Sequence, residues 1–105
     1  MNRKTNARSV VINSDAEWGQ TIHAAGRCAV GNEDCQGPLE AHHLIPRSHK
    51  ATRTAVEGGI LLCSHHHRLS THLSAHGAPM AFKAWMEANR PEQAAWVAAN
   101  KWKTT

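Results

Sequence analysis

Histidine and cysteine are concentrated in two neighbouring stretches of the chain. Residues 39–47 read LEAHHLIPR, with His42 and His43 adjacent. Residues 60–69 read ILLCSHHHRL, with three adjacent histidines shortly after Cys63. Imidazole and thiolate are ligands that zinc and other transition metals prefer, so two such clusters delivered to one place predict a metal site.

The cysteines form a candidate zinc set with one of these histidines. Three cysteines cannot all pair as disulfides, and in a reducing compartment they are better interpreted as thiolate ligands. A Cys3His set, which suits tetrahedral zinc, consists of Cys28, Cys35, Cys63 and His66. His65 or His67 could replace His66 as the fourth ligand, and three free, buried cysteines are the alternative without a metal.

The first His-bearing stretch predicts a strand over residues 39–45, closed by Pro46. Alternation along a strand sends His42 and His43 to opposite faces. One of them could then bind a metal while the other faces a substrate groove, although strand twist or a bulge can aim both into one cleft.

The second stretch predicts a strand followed by a helix. Residues 58–59 are both Gly and predict a turn into a strand over residues 60–62. Ser64 is expected to cap a helix that runs to about Ala75, with Gly77 as its stop.

Helices are also predicted on both sides of these elements. Ser14 begins a capping-box pattern for a helix over residues 15–25. Pro79 and Pro91 are placed where helices commonly begin, so residues 78–103 are expected to form C-terminal helices whose aromatic side chains cover the core.

Composition narrows the class of protein. A chain of 105 residues predicts one domain, and a structural metal would stabilise its small core. The net charge of +4 favours a polyanionic partner, and nucleic acid is favoured over a membrane surface. The alternative is that the charge only keeps the surface solvated.

Residues 1–10 are expected to form a flexible basic tail. The chain has neither a membrane-spanning apolar run nor a signal-peptide pattern, which predicts an intracellular, cytoplasmic location.

Together, the two His-bearing stretches resemble the HNH endonucleases, and in particular their small, free-standing versions in phages and prophages. The resemblance covers residues from about 28 to 72. It implies a small α+β fold over residues 1–105, a single nuclease domain. Within it, residues 28–73 would form a zinc-binding knuckle and a ββα-metal (His-Me finger) core, flanked by N- and C-terminal helices.

The resemblance also implies roles for individual residues. His42 and His67 match the ligands of a catalytic divalent metal, and His43 matches the general base. The implied reaction is metal-dependent hydrolysis of DNA phosphodiester bonds, by nicking or cutting. Imidazole ligands favour Mn²⁺, Ni²⁺ or Zn²⁺ as the catalytic metal. Mg²⁺ is also compatible, because phosphate and water can supply oxygen ligands. Structural zinc in the family matches Cys28, Cys35, Cys63 and His66.

Two positions depart from the family pattern. The middle Asn, which braces the loop before the second strand, is replaced by Gly at residues 58–59, so other bonds must hold this loop. Some relatives have a further metal ligand four residues beyond the second one. That position is Thr71 here, and the neighbouring His72 is a candidate additional ligand.

DNA is the implied partner, with Arg47 and Arg68 as candidate phosphate contacts and plain surface charge as the alternative. A zinc-stabilised, non-catalytic nucleic-acid binding module is the second hypothesis for function. A degenerate, purely structural relative is the third. A role beside phage packaging or recombination proteins is compatible with each of them.

Overall fold

A computed structural model describes residues 9–103, so residues 1–8 of the expected basic tail lie outside the described residues. The fold is α+β, with one two-stranded sheet. Among residues 9–103, no helix is long and apolar enough to span a bilayer. In chain order the elements are α1 (Asp15–His23), β1 (Leu39–His43), a 3-10 turn (Val56–Gly58), β2 (Gly59–Cys63), a π-helical turn (His65–Leu69), α2 (Pro79–Asn89) and α3 (Pro91–Asn100).

The sheet pairs β1 with β2 in antiparallel register. Leu39 lies opposite Cys63, and His43 lies opposite Gly59. Every residue of β2 is buried, which explains why this strand reads as an unbroken apolar run. Because the strands run in opposite directions, the residues that follow Cys63 emerge beside the start of β1.

Helices cover both faces of β2. Alternate side chains of the strand point to opposite sides, so Ile60 and Leu62 pack with Phe82 and Met86 of α2, while Leu61 packs towards α1. A separate cluster beneath α3 consists of Ile45, Ala55 and Trp96. The predicted N- and C-terminal helices are therefore present, and they enclose the sheet.

The helix expected from Ser64 to about Ala75 is wrong beyond Leu69. Ser64 does not cap it, because its Oγ donates instead to the backbone oxygen of Pro38 at 3.3 Å. At Ser70 the backbone becomes extended, with φ −68° and ψ 130°.

The break at Ser70 has a local cause. Its Oγ accepts hydrogen bonds from the backbone amides of His72 and Leu73, at 3.1 and 3.0 Å. Serine side chains offer the backbone this alternative to helical hydrogen bonding. The chain then folds back, and the amide of His76 donates to the carbonyl of His67 at 2.9 Å.

Packing, and not backbone conformation, requires glycine as the first residue of β2. Gly59 has an ordinary extended backbone, with φ −113° and ψ 149°. A Cβ there would lie 2.6 Å from Cζ2 of Trp18 and would also overlap the side chain of Ile22. The helix α1 can therefore approach the sheet this closely only because position 59 has no side chain.

We predict that Gly59→Ala lowers the free energy of unfolding by about 1–3 kcal/mol, the usual cost of overpacking. Gly19→Ala is the matched control, because no described residue lies within 4 Å of a Cβ at that position of α1. There the change should stabilise the protein by about 0.5–1 kcal/mol through helix propensity. Denaturant unfolding followed by tryptophan fluorescence measures both, and a Gly59→Ala protein as stable as the native chain would contradict the packing explanation.

Candidate metal centres and general base

The predicted zinc ligands lie together. The Nδ1 atom of His66 is 3.8 Å from Sγ of Cys28, 3.6 Å from Sγ of Cys35 and 3.3 Å from Sγ of Cys63. Tetrahedral zinc, with Zn–S of about 2.3 Å and Zn–N of about 2.0–2.1 Å, would separate sulfur from nitrogen by about 3.6 Å. The four ligand atoms all lie within 4.8 Å of one another and are close enough to hold a metal ion.

The thiol environment favours a bound cation. Burial raises the pKa of Cys28, but hydrogen bonds from the backbone of Gly31, Cys63 and Val30 outweigh it, and the net pKa is lowered. Burial and the neighbouring Cys28 raise the pKa of Cys35 to about 11. The protein alone thus stabilises one thiolate at the expense of the next, and a divalent cation removes this conflict by neutralising them together.

His66 is the histidine that completes the Cys3His group, and neither His65 nor His67 belongs to that group. Burial lowers the pKa of His66, which favours the neutral imidazole that a metal requires. The ring of His65 lies edge-on to that of His66, with centroids 5.0 Å apart, and remains partly exposed. His67 belongs to a second histidine cluster.

That second cluster consists of His42, His67 and His76, whose ligand atoms lie within 4.8 Å of one another. Nδ1 of His42 and Nε2 of His67 are 3.2 Å apart. Two nitrogens bound tetrahedrally to one ion at about 2.0–2.1 Å would be separated by about 3.3 Å, so the spacing fits a shared metal. Burial and the neighbouring charges of His67 and His76 lower the pKa of His42 to about 3, which keeps this ring neutral.

Glu40 orients one member of this cluster. Nδ1 of His67 donates to Oε1 of Glu40 at 2.6 Å, so Nε2 carries the lone pair that faces His42. A carboxylate behind a ligating histidine is a common outer-shell arrangement in metal sites. The hydrogen bond from His67 also lowers the pKa of Glu40.

His76, and not the candidate His72, lies beside the other two histidines. Nδ1 of His72 is 3.3 Å from Oγ1 of Thr71, and among residues 9–103 it belongs to neither ligand group. In a continuous helix, His67 and His76 would be separated by about 13 Å along the axis. The chain reversal after Ser70 brings them together, which is why the sequence pattern did not identify His76 as a ligand.

His43 is held on the other side of β1. Its Nε2 donates to the backbone oxygen of Arg53 at 2.9 Å, which leaves Nδ1 as an acceptor. Its ring stacks on Trp18 of α1, with centroids 3.9 Å apart and planes 11° apart. Burial lowers the pKa of His43, so the ring is neutral near pH 7 and able to accept a proton.

The two arginines singled out from the sequence lie beside carboxylates. The guanidinium of Arg47 is 3.2 Å from Asp15, which also binds Nε of Arg53 at 2.9 Å. Nε of Arg68 is 3.9 Å from Glu40. The side chains of Arg47 and Arg68 are each 61% exposed and therefore accessible to a polyanion.

Comparison with known families identifies this arrangement. A family model described as HNH endonuclease matches residues 22–72. This segment, just under half of the chain, is therefore of the HNH endonuclease type. The matched HNH segment contains both strands and the Cys3His group, and the two-stranded sheet with its adjoining helices is consistent with the ββα fold of the family. His76 lies beyond the matched residues. Neither curated proteins nor solved structures gave a significant match.

The match indicates a nuclease-type module, and the HNH nuclease family implies nucleic acid as the substrate. The resemblance on which this expectation was based is therefore confirmed, as is the α+β fold class. The Cys3His group predicted from residue types also lies together, and its four residues are close enough to hold one ion.

We predict that His66→Ala abolishes binding of structural zinc, whereas His65→Ala leaves it intact. Loss of the ion should lower the free energy of unfolding by more than about 3 kcal/mol, because structural zinc binds zinc-finger peptides with about 10–16 kcal/mol. Metal analysis of the purified proteins, with thermal unfolding before and after chelation, measures both effects. Equal zinc content in the two variants would reject His66 as a ligand.

Proposed function

We propose that this HNH domain is a metal-dependent endonuclease that hydrolyses phosphodiester bonds of DNA. The observation that best supports this proposal is that His42 and His43, adjacent in β1, lie on opposite sides of the strand and have different partners. His42 faces the other histidines of its cluster, and His43 turns to the opposite side with its Nδ1 free to accept a proton. A module that only bound nucleic acid would have no need of a neutral base beside a metal ligand.

His42, His67 and His76 are the proposed ligands of the catalytic metal, with Glu40 fixing the ring of His67. A divalent cation bound there would supply a Lewis acid that neutralises charge developing on the scissile phosphate and the leaving 3′ oxygen. Three imidazole ligands suit Mn²⁺, Ni²⁺ or Zn²⁺, and Mg²⁺ can work where water and phosphate add oxygen ligands.

His43 is the proposed general base. Its Nδ1 would take a proton from the attacking water, while Nε2–H keeps its hydrogen bond to the carbonyl of Arg53. That carbonyl dipole favours the imidazolium formed in this step, and stacking on Trp18 keeps the ring from rotating. By family resemblance, the products would carry a 5′-phosphate and a 3′-hydroxyl.

Arg47 and Arg68 are proposed to contact the DNA backbone. Each is largely exposed and near a carboxylate, so an approaching phosphate would compete with Asp15 or Glu40 for the guanidinium. Zinc is the ion proposed for Cys28, Cys35, Cys63 and His66, where it would hold the cysteine loop against the π-helical turn.

We predict that His43→Ala lowers the rate of plasmid nicking by about 100- to 10,000-fold, the usual contribution of a general base. The assay uses supercoiled plasmid with Mg²⁺, Mn²⁺, Ni²⁺ or EDTA, and His23→Ala, an exposed histidine of α1, serves as the control. Zinc content and thermal stability should remain close to native in both variants.

Equal cleavage by the native protein and His43→Ala would reject His43 as the base. A folded, zinc-loaded native chain that binds DNA but leaves it intact with every metal would instead favour the non-catalytic binding module.

We further predict that His76→Ala weakens binding of Mn²⁺ or Ni²⁺ by at least about tenfold, since even outer-shell substitutions cost about 10- to 100-fold in affinity. His72→Ala changes a nearby histidine that is not a member of the cluster, and this variant should bind the metal as the native chain does. Calorimetric titration of zinc-loaded protein measures both. If His72→Ala loses affinity and His76→Ala does not, the third ligand has been assigned to the wrong residue.

A further inference from the structure

The junction between the loop and β2, residues 58–59, leaves little room for the Asn that the family pattern places there. A Cβ at Gly58 would lie 3.2 Å from the ring of Trp96, closer than an ordinary contact. At Gly59, the side chains of Trp18 and Ile22 occupy the equivalent space. Helices α1 and α3 therefore fill the region in which a bracing side chain from this loop would lie.

Gln93, in the first turn of α3, donates side-chain hydrogen bonds to the backbone of the same loop. Its Nε2 donates to the backbone oxygen of Glu57 at 2.9 Å and to that of Gly59 at 2.8 Å. These two carbonyls flank Gly58, so one side-chain amide spans the turn and uses both of its hydrogens. The side chain comes from 34 to 36 residues further along the chain.

The loop held by Gln93 is directly connected to the proposed base. The carbonyl of Gly58, between the two that Gln93 binds, accepts the amide hydrogen of Leu44 at 2.8 Å. Gly59 is the strand partner of His43. The same loop carries the carbonyl of Arg53 that receives Nε2–H of His43.

We propose that Gln93 is a positioning residue that replaces the missing family Asn, acting on His43 through residues 53–59. Its catalytic consequence rests on the proposed nuclease function, whereas its effect on the loop does not. The HNH motif of this chain would then be completed by a helix outside the segment that matches the family.

Two substitutions test this role with little change in shape. Gln93→Glu keeps the length of the side chain but places a carboxylate against two carbonyls, and Gln93→Met removes the donors. An acidic residue in the first turn is favourable for a helix, so Gln93→Glu should not weaken α3 itself. Gln20→Glu makes the same charge change on an exposed position of α1 and serves as the control.

The first measurement is made on zinc-loaded protein without DNA. Hydrogen exchange at the Leu44 amide should accelerate by about tenfold or more in both Gln93 variants, because two hydrogen bonds that hold its acceptor are lost. Nitrogen NMR of the His43 ring should show a mixture of tautomers in place of Nε2–H alone. Native exchange and a single tautomer in both variants would overturn the proposal.

The second measurement is cleavage at saturating metal and DNA. The turnover rate per folded molecule should fall by about tenfold in the Gln93 variants, with zinc content, Mn²⁺ affinity and KM unchanged, and it should stay native in Gln20→Glu. A merely stabilising side chain would leave this rate native, and that result would overturn the positioning role. If the native chain cleaves no DNA, the nuclease proposal fails, while the exchange and tautomer results still decide whether Gln93 holds the loop.

Discussion

The antiparallel register of β1 with β2 is the constraint on which both ligand groups depend. It sets Leu39 opposite Cys63, so the turn after Cys63 brings its histidines back to the start of β1. A slip of one residue would exchange the faces of His42 and His43. The packing of β1 opposes such a slip, because Ala41 would have to leave its contacts with the cluster that α1 forms with Leu61.

Short-range patterns were sufficient to predict the strands and the Cys3His group. Residue type decides metal preference, and the strand patterns over residues 39–45 and 60–62 can be recognised without knowledge of the rest of the chain. The helices α2 and α3 were predicted from equally local rules. Pro79 and Pro91 are each the first residue of a helix, a position that suits proline because it needs no amide hydrogen.

The features that complete the proposed site could not be read from such patterns. One serine hydroxyl that competes for backbone amides ends a helix that the sequence otherwise favours, and His76 reaches its cluster only because of that break. Trp18 and Gln93 meet the loop before β2 from opposite ends of the chain. Contacts of this kind depend on how helices dock, and docking is a property of the folded core as a whole.

His66 and His67 are neighbours in one five-residue turn, yet each belongs to a different ligand group. Because the two residues are consecutive in one short turn, a displacement of the backbone at one histidine also moves the other. If an ion in the cysteine-rich group orders the histidine cluster, thermodynamic linkage requires that order in the cluster favour that ion to the same extent. Under the proposed assignment of two metals, the supply of the first ion would then influence the fraction of molecules that can bind the second.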